Sequence, residues 1–572
     1  MPFQSRHRTV IAILAIAALG GACSPGDGGD LAHPTTGVTA IVNADVYTVD
    51  HEGSWAEAFA YDSDGVIIAV GSEVDVLSAA GGGALVIDAG GNMVLPGFQD
   101  VHVHVPEAGI NQRLCFMPSR RNLEDYEAGA VRCAGRQRNA DWVRAVGPSL
   151  FELRDTDELP IDLLDRAIPD RPAMILDDLG HAVWTNTLGL EAAGIGPDDP
   201  DPRGGILHRD ADSGRLTGLL LEDAQQLVRN AAVLEDDANY KGLLMALGDL
   251  ARNGVTAVSD AGGYWAQNHP AAWERAATEG TLTVRAVNSL YVYPDLDLDE
   301  QLAEFERRFS DDPDRLLRFN TAKIYVDGIL DLGTAALIDP YDTPIDEDHP
   351  SGFHYFTPDL LQAYVSGLHA IGYRISFHVI GDAAVRAALD SIEGIDDDPA
   401  TVAERRHRTT HNFLVHPDDI GRFADLGVIA DFQQSPDAID PRYLDFLTDF
   451  IGDRALDLIP TGSLIAAGAT VTLSSDWDAG PLSPLGTIER SIMRDVNPVL
   501  DVGTAIALMT IDAAFALGHD DLTGSIEVGK QADFVILADN LFEIDAADID
   551  RTDVLLTVVA GSEVYRSVGF RN

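Results

Sequence analysis

From Gly37 to about Asp88 the apolar positions come in short runs broken by Asp, Gly and Ser: Thr39 to Tyr47, Ala58 to Tyr61, Val66 to Val70 and Leu85 to Ile87. Short apolar runs at such spacing predict the strands of a small β-sandwich. The habit returns near the other end of the chain, in Asp533 to Leu537 and Val554 to Tyr565. Between these regions the rhythm changes. Strand-like runs such as Gly254 to Ser259, Ala322 to Val326, Arg374 to Ile380 and Ala469 to Ser474 alternate with longer amphipathic stretches. That alternation predicts an α/β fold, a (β/α)8 TIM-like barrel with insertions, and the length of the middle region suits one. Both chain ends would then build one sandwich beside the barrel. The expected divisions are 37–93 and 521–572 for the two parts of the sandwich and 94–520 for the barrel.

Ahead of this lie a basic segment, Arg6 to Arg8, an apolar run, Val10 to Leu19, and Gly20, Gly21, Ala22 and Cys23. The apolar run is too short to span a bilayer of about 30 Å and has the layout of a cleaved signal peptide over 1–22. It resembles a bacterial lipoprotein signal, with Gly20 where leucine is usual, and that resemblance implies a lipid anchor at Cys23. An ordinary secretory signal is the alternative. Residues 23–36 then read as a flexible tether. Export, to the envelope or beyond it, is the expectation. In such a compartment Cys115 and Cys133 are expected to close a disulfide, with two separate thiols as the alternative.

The charge balance narrows the partners. The chain of 572 residues carries 92 acidic against 39 basic residues, a net of −53. A surface so negative repels phosphate backbones, so nucleic acid is excluded and a small-molecule substrate expected. Lysine occurs only at Lys241, Lys323 and Lys530. One of the three therefore stands out, because Lys323 falls within an apolar strand, where an unpaired lysine is rarely buried. A pairing with Asp327 is the bland explanation.

The strongest local signal is Met93 to Val105, MVLPGFQDVHVHV. In an extended segment residues i and i+2 face the same side, so His102 and His104 can address one metal ion. Barrel enzymes build their sites at such strand ends. Further on come GHAVWTN (Gly180 to Asn186), AKIYVDG (Ala322 to Gly328), FHVIGD (Phe377 to Asp382), RHRTTH (Arg406 to His411), SSDW (Ser474 to Trp477) and GSIEVGKQADFVIL (Gly524 to Leu537). In this order they resemble the amidohydrolase superfamily, and within it amidohydrolase family 3, the YtcJ-like metal-dependent hydrolases.

The resemblance implies a site and a reaction. His102 and His104 would end strand 1 and bind the more buried metal. Lys323 on strand 4, as a carbamate, would bridge two ions, with His378 on strand 5 and His411 on strand 6 holding the second. Asp476 at the end of strand 8 would touch the metal and act as general base. His181 would sit in the substrate pocket and polarise the scissile carbonyl, with a structural loop histidine as the alternative, and Asp382 and Arg494 would be supporting charges. The cofactor would be one or two divalent ions, zinc foremost, and the reaction hydrolysis of a C–N bond in an amide, N-formyl or cyclic amide. Spacing alone does not choose among His407, His411 and His416; the family pattern selects His411. The family's frequent Q-P-x-H is replaced by FQQSPD (Phe432 to Asp437), so substrate selection is expected to differ. Pocket walls are expected from Arg113 to Pro148 and Pro197 to Arg215. A mononuclear deaminase or esterase of the same superfamily, or a non-catalytic binding protein on the same scaffold, are the competing readings.

Overall fold

The computed structural model describes residues 37–117, 122–154, 156, 158–436 and 440–570. The expected signal, tether and Cys23 lie outside these residues, as does Asp437.

Eight parallel strands form the central sheet in sequence order: Phe98–Val103, Val255–Gly263, Arg285–Tyr291, Leu317–Tyr325, Arg374–Val379, Arg408–His411, Ile429–Gln433 and Val471–Ser474. They are referred to below as barrel strands 1 to 8. Backbone bonds beyond the last strand close the ring: Asp476 N–H donates to His102 O (2.9 Å) and His104 N–H to Trp477 O (2.6 Å). The fold is thus a TIM-like (β/α)8 barrel. Its strands are buried on both faces, with polar side chains such as Thr256, Asp260, Asn288 and Ser376 enclosed among the apolar ones.

Two further sheets hold both chain ends. One runs Ile67–Gly71, Ala58–Tyr61, Thr39–Val42, Leu85–Asp88; the other runs Ser562–Arg566, Val554–Val559, Phe534–Leu537, Met93–Pro96, Asp45–Tyr47, Trp55–Ala56. Their shared core includes Ile41, Val46, Phe59, Val94, Phe534 and Leu556, with the Phe59 and Phe534 rings edge-on at 5.0 Å. The strand before Pro96-Gly97 belongs here, not to the barrel, because Met93 to Pro96 pair with Leu537 to Phe534. The crossing point is Gly97, where a Cβ would lie 2.1 Å from the Thr256 side chain. Glycine lets barrel strand 2 press against the join.

The insertion between barrel strands 1 and 2 is itself a sheet, ordered Gly205–Arg209, Leu216–Glu222, Ala182–Thr185, Ala173–Leu176, Val143–Val146, Cys115–Phe116. Alternation along the chain did not reveal it as a separate layer. A disulfide from Cys115 to Cys133 (Cα–Cα 5.5 Å) ties its edge strand to the helix Leu123–Arg136. Among the described residues no helix is long and apolar enough to cross a membrane.

Candidate active site

All six side chains named as ligands converge at the C-terminal mouth of the barrel. One carboxylate oxygen, Asp476 Oδ1, lies 3.1 Å from His102 Nε2 and 3.4 Å from His104 Nε2. Asp476 Oδ2 is 3.9 Å from His411 Nδ1. Lys323 Nζ sits 3.5 Å from each nitrogen of the His102 ring and 4.8 Å from the centre of the Tyr325 ring. The His102 and His411 rings are 4.9 Å apart, and those of His411 and His378 4.4 Å. Each comes from a different strand end except His102 and His104, which share one.

Two of these residues stand in strained backbone. His411 has φ 75° and Asp476 φ 52°, a left-handed region that costs non-glycine residues about 1–3 kcal/mol and recurs at functional sites. The turn at Asp476 is held by its own N–H on His102 O and by Gly480 N–H on its carbonyl.

Burial decides the charge states. Lys323 is 0% exposed, and burial brings its amine down to about 7 against the partial opposition of Asp476. The expected alternative, an ion pair with Asp327, is not what forms: the Asp327 carboxylate accepts N–H bonds from Ala336, Ile380 and Gly381 instead. Burial raises Asp476, but His102 and His104 reverse this and hold it well below the carboxylate range. Burial keeps His102 and His378 neutral and takes His411 to about 3. His378 leaves Nδ1 with no hydrogen-bond partner and gives Nε2 one long contact, 3.4 Å to Gly328 O. Buried polar atoms are rarely left unpaired. Neutral imidazoles at His102, His378 and His411 and an ionised carboxylate, with a buried nitrogen unsatisfied, suit a divalent cation; His104, which Asp476 and Glu107 raise to about 10 against burial, would release its proton on joining them. His102, His104 and Asp476 bring their ligand atoms within 4.8 Å of one another.

Two carboxylates, the partly exposed Glu107 and the buried Glu222, orient this centre, and the sequence reading missed both. Glu107 Oε2 is 3.0 Å from His104 Nδ1, leaving Nε2 for Asp476, and Glu107 is itself paired with Arg229. Gly262 makes room: a Cβ there would meet Glu107 Oε2 at 2.7 Å and His104 Nδ1 at 3.0 Å. Glu222, at the end of an insertion strand with φ 55°, lies 2.6 Å from His181 Nδ1. It also accepts from Tyr355 Oη (2.6 Å) and Thr334 Oγ1. Burial opposes charge on His181, yet Glu222 outweighs it and raises the imidazole. The His181 ring lies 5.1 Å from that of His378, so the loop histidine faces the centre. Glu107 is three residues past His104, a spacing that would have flagged it; Glu222 ends a strand 41 residues from His181 and carries no local signal.

Geometry also chooses among the clustered histidines. His407 is at the opposite end of barrel strand 6, accepting Ile375 N–H at Nδ1 (3.1 Å). His416 caps the helix Pro417–Leu426. Only His411 reaches the mouth. Asp382 and Arg494 stand apart from it: Asp382 accepts Ile338 N–H, and Arg494 donates to Gln434 Oε1 and Leu458 O. Where the family histidine is missing, Gln433 donates to Thr410, Asp431 and Ser474 and, with Ser435, faces a cavity of about 430 Å³. A second cavity, about 370 Å³, adjoins Asp476. The stretch Arg113 to Pro148 contributes Phe116, Val146 and Gly147 to its wall, but no residue of Pro197 to Arg215 lines either cavity, since that segment forms the outer hairpin of the insertion sheet.

Known proteins resemble this chain along nearly its whole length. A sequence profile described as amidohydrolase family matches residues 85–565. YtcJ of Bacillus subtilis (strain 168), named as an amidohydrolase, is 28% identical over 538 residues, covering 91% of this chain and 98% of its own. The N-substituted formamide deformylase of Arthrobacter pascens is 27% identical over 557 residues, covering 92% and 98%. An uncharacterized metal-dependent hydrolase from Pyrococcus horikoshii OT3 superposes with a TM-score of 0.69 at 22% identity, covering 89% of this chain and 99% of its own, which is a likeness of fold.

Proposed function

The chain belongs to the amidohydrolase family of metal-dependent hydrolases, and on that premise we propose that it hydrolyses a non-peptide C–N bond, in an amide, N-formyl or cyclic amide, at the barrel mouth. The observation that carries this is the gathering of His102, His104, Lys323, His378, His411 and Asp476 at one mouth of the barrel. His102, His104 and Asp476 would hold one divalent cation and His378 and His411 a second, zinc being the ion such ligands suit best. Such a cation, when bound, polarises a carbonyl oxygen and renders water acidic enough to attack near neutral pH.

The chain's own residues do the rest. Asp476 accepts the proton of the attacking water and returns it to the leaving nitrogen, a role its ionised state permits. His181, with Nδ1 committed to Glu222, presents Nε2 to the substrate carbonyl oxygen. Lys323, brought down to about 7, offers a neutral amine that could add carbon dioxide and lose a proton, and the resulting carbamate would supply oxygen ligands to the bound cations. The test is metal analysis alongside an amide, formamide, lactam and ester panel. Metal-loaded protein is expected to turn over at least one amide; loaded protein inert across the panel sinks the reading and leaves a binding scaffold.

One observation favours a narrower version. Of the described residues, His102, His104 and Asp476 alone bring three ligand atoms together, the arrangement of a single-ion deaminase or esterase. One ion per chain, unchanged in Lys323→Ala, would establish that version over the binuclear one.

Export is part of the same proposal. The basic and apolar layout of Arg6 to Cys23 supports it, and the Cys115–Cys133 disulfide suits an oxidising compartment. Mass spectrometry of the mature N-terminus is expected to find Cys23 first and acylated; an intact Met1 would refute cleavage.

A further inference from the structure

We propose that the substrate is a two-sided amide, neutral or cationic, with a sizeable apolar group on each side of the scissile bond; this rests on the amide-hydrolase reading above. Two cavities, of about 430 and 370 Å³, meet at His181, His411 and Asp476. Each alone falls within the size range of a small-molecule site. The segment Asp177 to Leu179 borders both, so they are chambers on either side of one reacting point. The first is walled by Leu150, Phe151, Leu330, Phe413 and Phe446. The second is walled by Phe116, Val146, Tyr264, Tyr325 and Trp477. A scissile carbon held beside Asp476 would extend one substituent into each.

Charge sets the second half of the proposal. The arginine facing the first chamber, Arg442, pairs with Asp440 (2.5 Å), and the one facing the second, Arg229, pairs with Glu107. Asp177 and Asp178 border both chambers, Asp331 faces the first and Asp478 the second. A substrate carboxylate would therefore enter between acidic side chains on either side with each arginine already paired. An amide of an amine fits this lining better than an amide of an amino acid.

The experiment compares kcat/KM on metal-loaded protein for N-benzylformamide, phenylacetamide, N-benzylphenylacetamide and N-phenylacetylphenylalanine. The two-sided neutral amide is expected to exceed both one-sided amides, and the carboxylate, by about tenfold or more. Phe446→Ala and Phe116→Ala, at opposite chambers, should each erase the preference for a large group at a different end. Calorimetric binding of the same compounds to Asp476→Asn protein supplies a readout without turnover, and the same ranking is expected. Equal or better hydrolysis of the one-sided amides, both alanine variants acting on one end, or preference for the carboxylate would overturn the proposal while leaving the amide hydrolase intact. Failure to turn over any amide would instead bring down the reading on which it rests.

Discussion

His411 ends barrel strand 6 and His407, four residues earlier, immediately precedes it; both are buried, yet the fold treats them in opposite ways. At the barrel floor, His407 is fully satisfied. Ile375 N–H donates to its Nδ1, so its proton is on Nε2, which faces His369 Nδ1 at 3.1 Å; the remaining His369 nitrogen faces Asp397 at 3.3 Å. At the mouth, His411 sits at φ 75° beside His378, whose Nδ1 has no partner. The difference teaches that burial alone does not mark function. His407 is completed by the chain itself, whereas at the mouth His378 keeps one buried nitrogen for something the chain does not supply.

The largest expected effect tests the mouth directly. Asp476→Ala should lower kcat by about 10²–10⁴-fold, the range of a general acid–base group, while the thermal midpoint of the metal-free protein stays close to that of the parent. Full activity in this variant would remove the proposed base. Next comes Lys323→Ala, expected to lose the second ion in elemental analysis while His102 and His104 retain the first. Glu222→Gln follows. It should lower kcat by about 10- to 100-fold with KM little changed, as loss of an orienting carboxylate does, and Glu222→Asp should recover less than the parent because its shorter reach cannot serve His181, Tyr355 and Thr334 together.

These contrasts also explain how much could be read in advance. Strand ends carrying His102, Lys323, His378, His411 and Asp476 were legible because each lies in an apolar run that ends in an ordered motif. The division expected between 93 and 94 falls inside a sandwich strand, Met93–Pro96, since an apolar strand reads alike whichever sheet it joins. Glu222 was invisible because its partner is 41 residues away in a loop of an insertion whose pairing no local pattern fixes. The rejection of Lys323–Asp327 pairing likewise needed the loop backbone of Ile380 and Gly381 in place.

The smallest effect concerns the floor and should spare the mouth altogether. His407→Gln removes the acceptor of Ile375 N–H, so it should cost about 1–3 kcal/mol of stability with no change in metal content. Its pH dependence follows from sign. Burial, with His369, Arg405 and Arg374 nearby, holds the His407 imidazole well below its ordinary value. The unfolded chain therefore binds a proton below about pH 6.5 that the folded chain refuses. This histidine's favourable contribution is complete above that pH and is lost as pH falls beneath it. Denaturant unfolding of metal-loaded protein from pH 7.5 to 5 should show parent stability falling with acid, and His407→Gln falling less steeply by up to one proton's worth of slope. Parallel curves would mean that His407 is protonated in the folded protein, and the distinction between floor and mouth would fail at its simplest point.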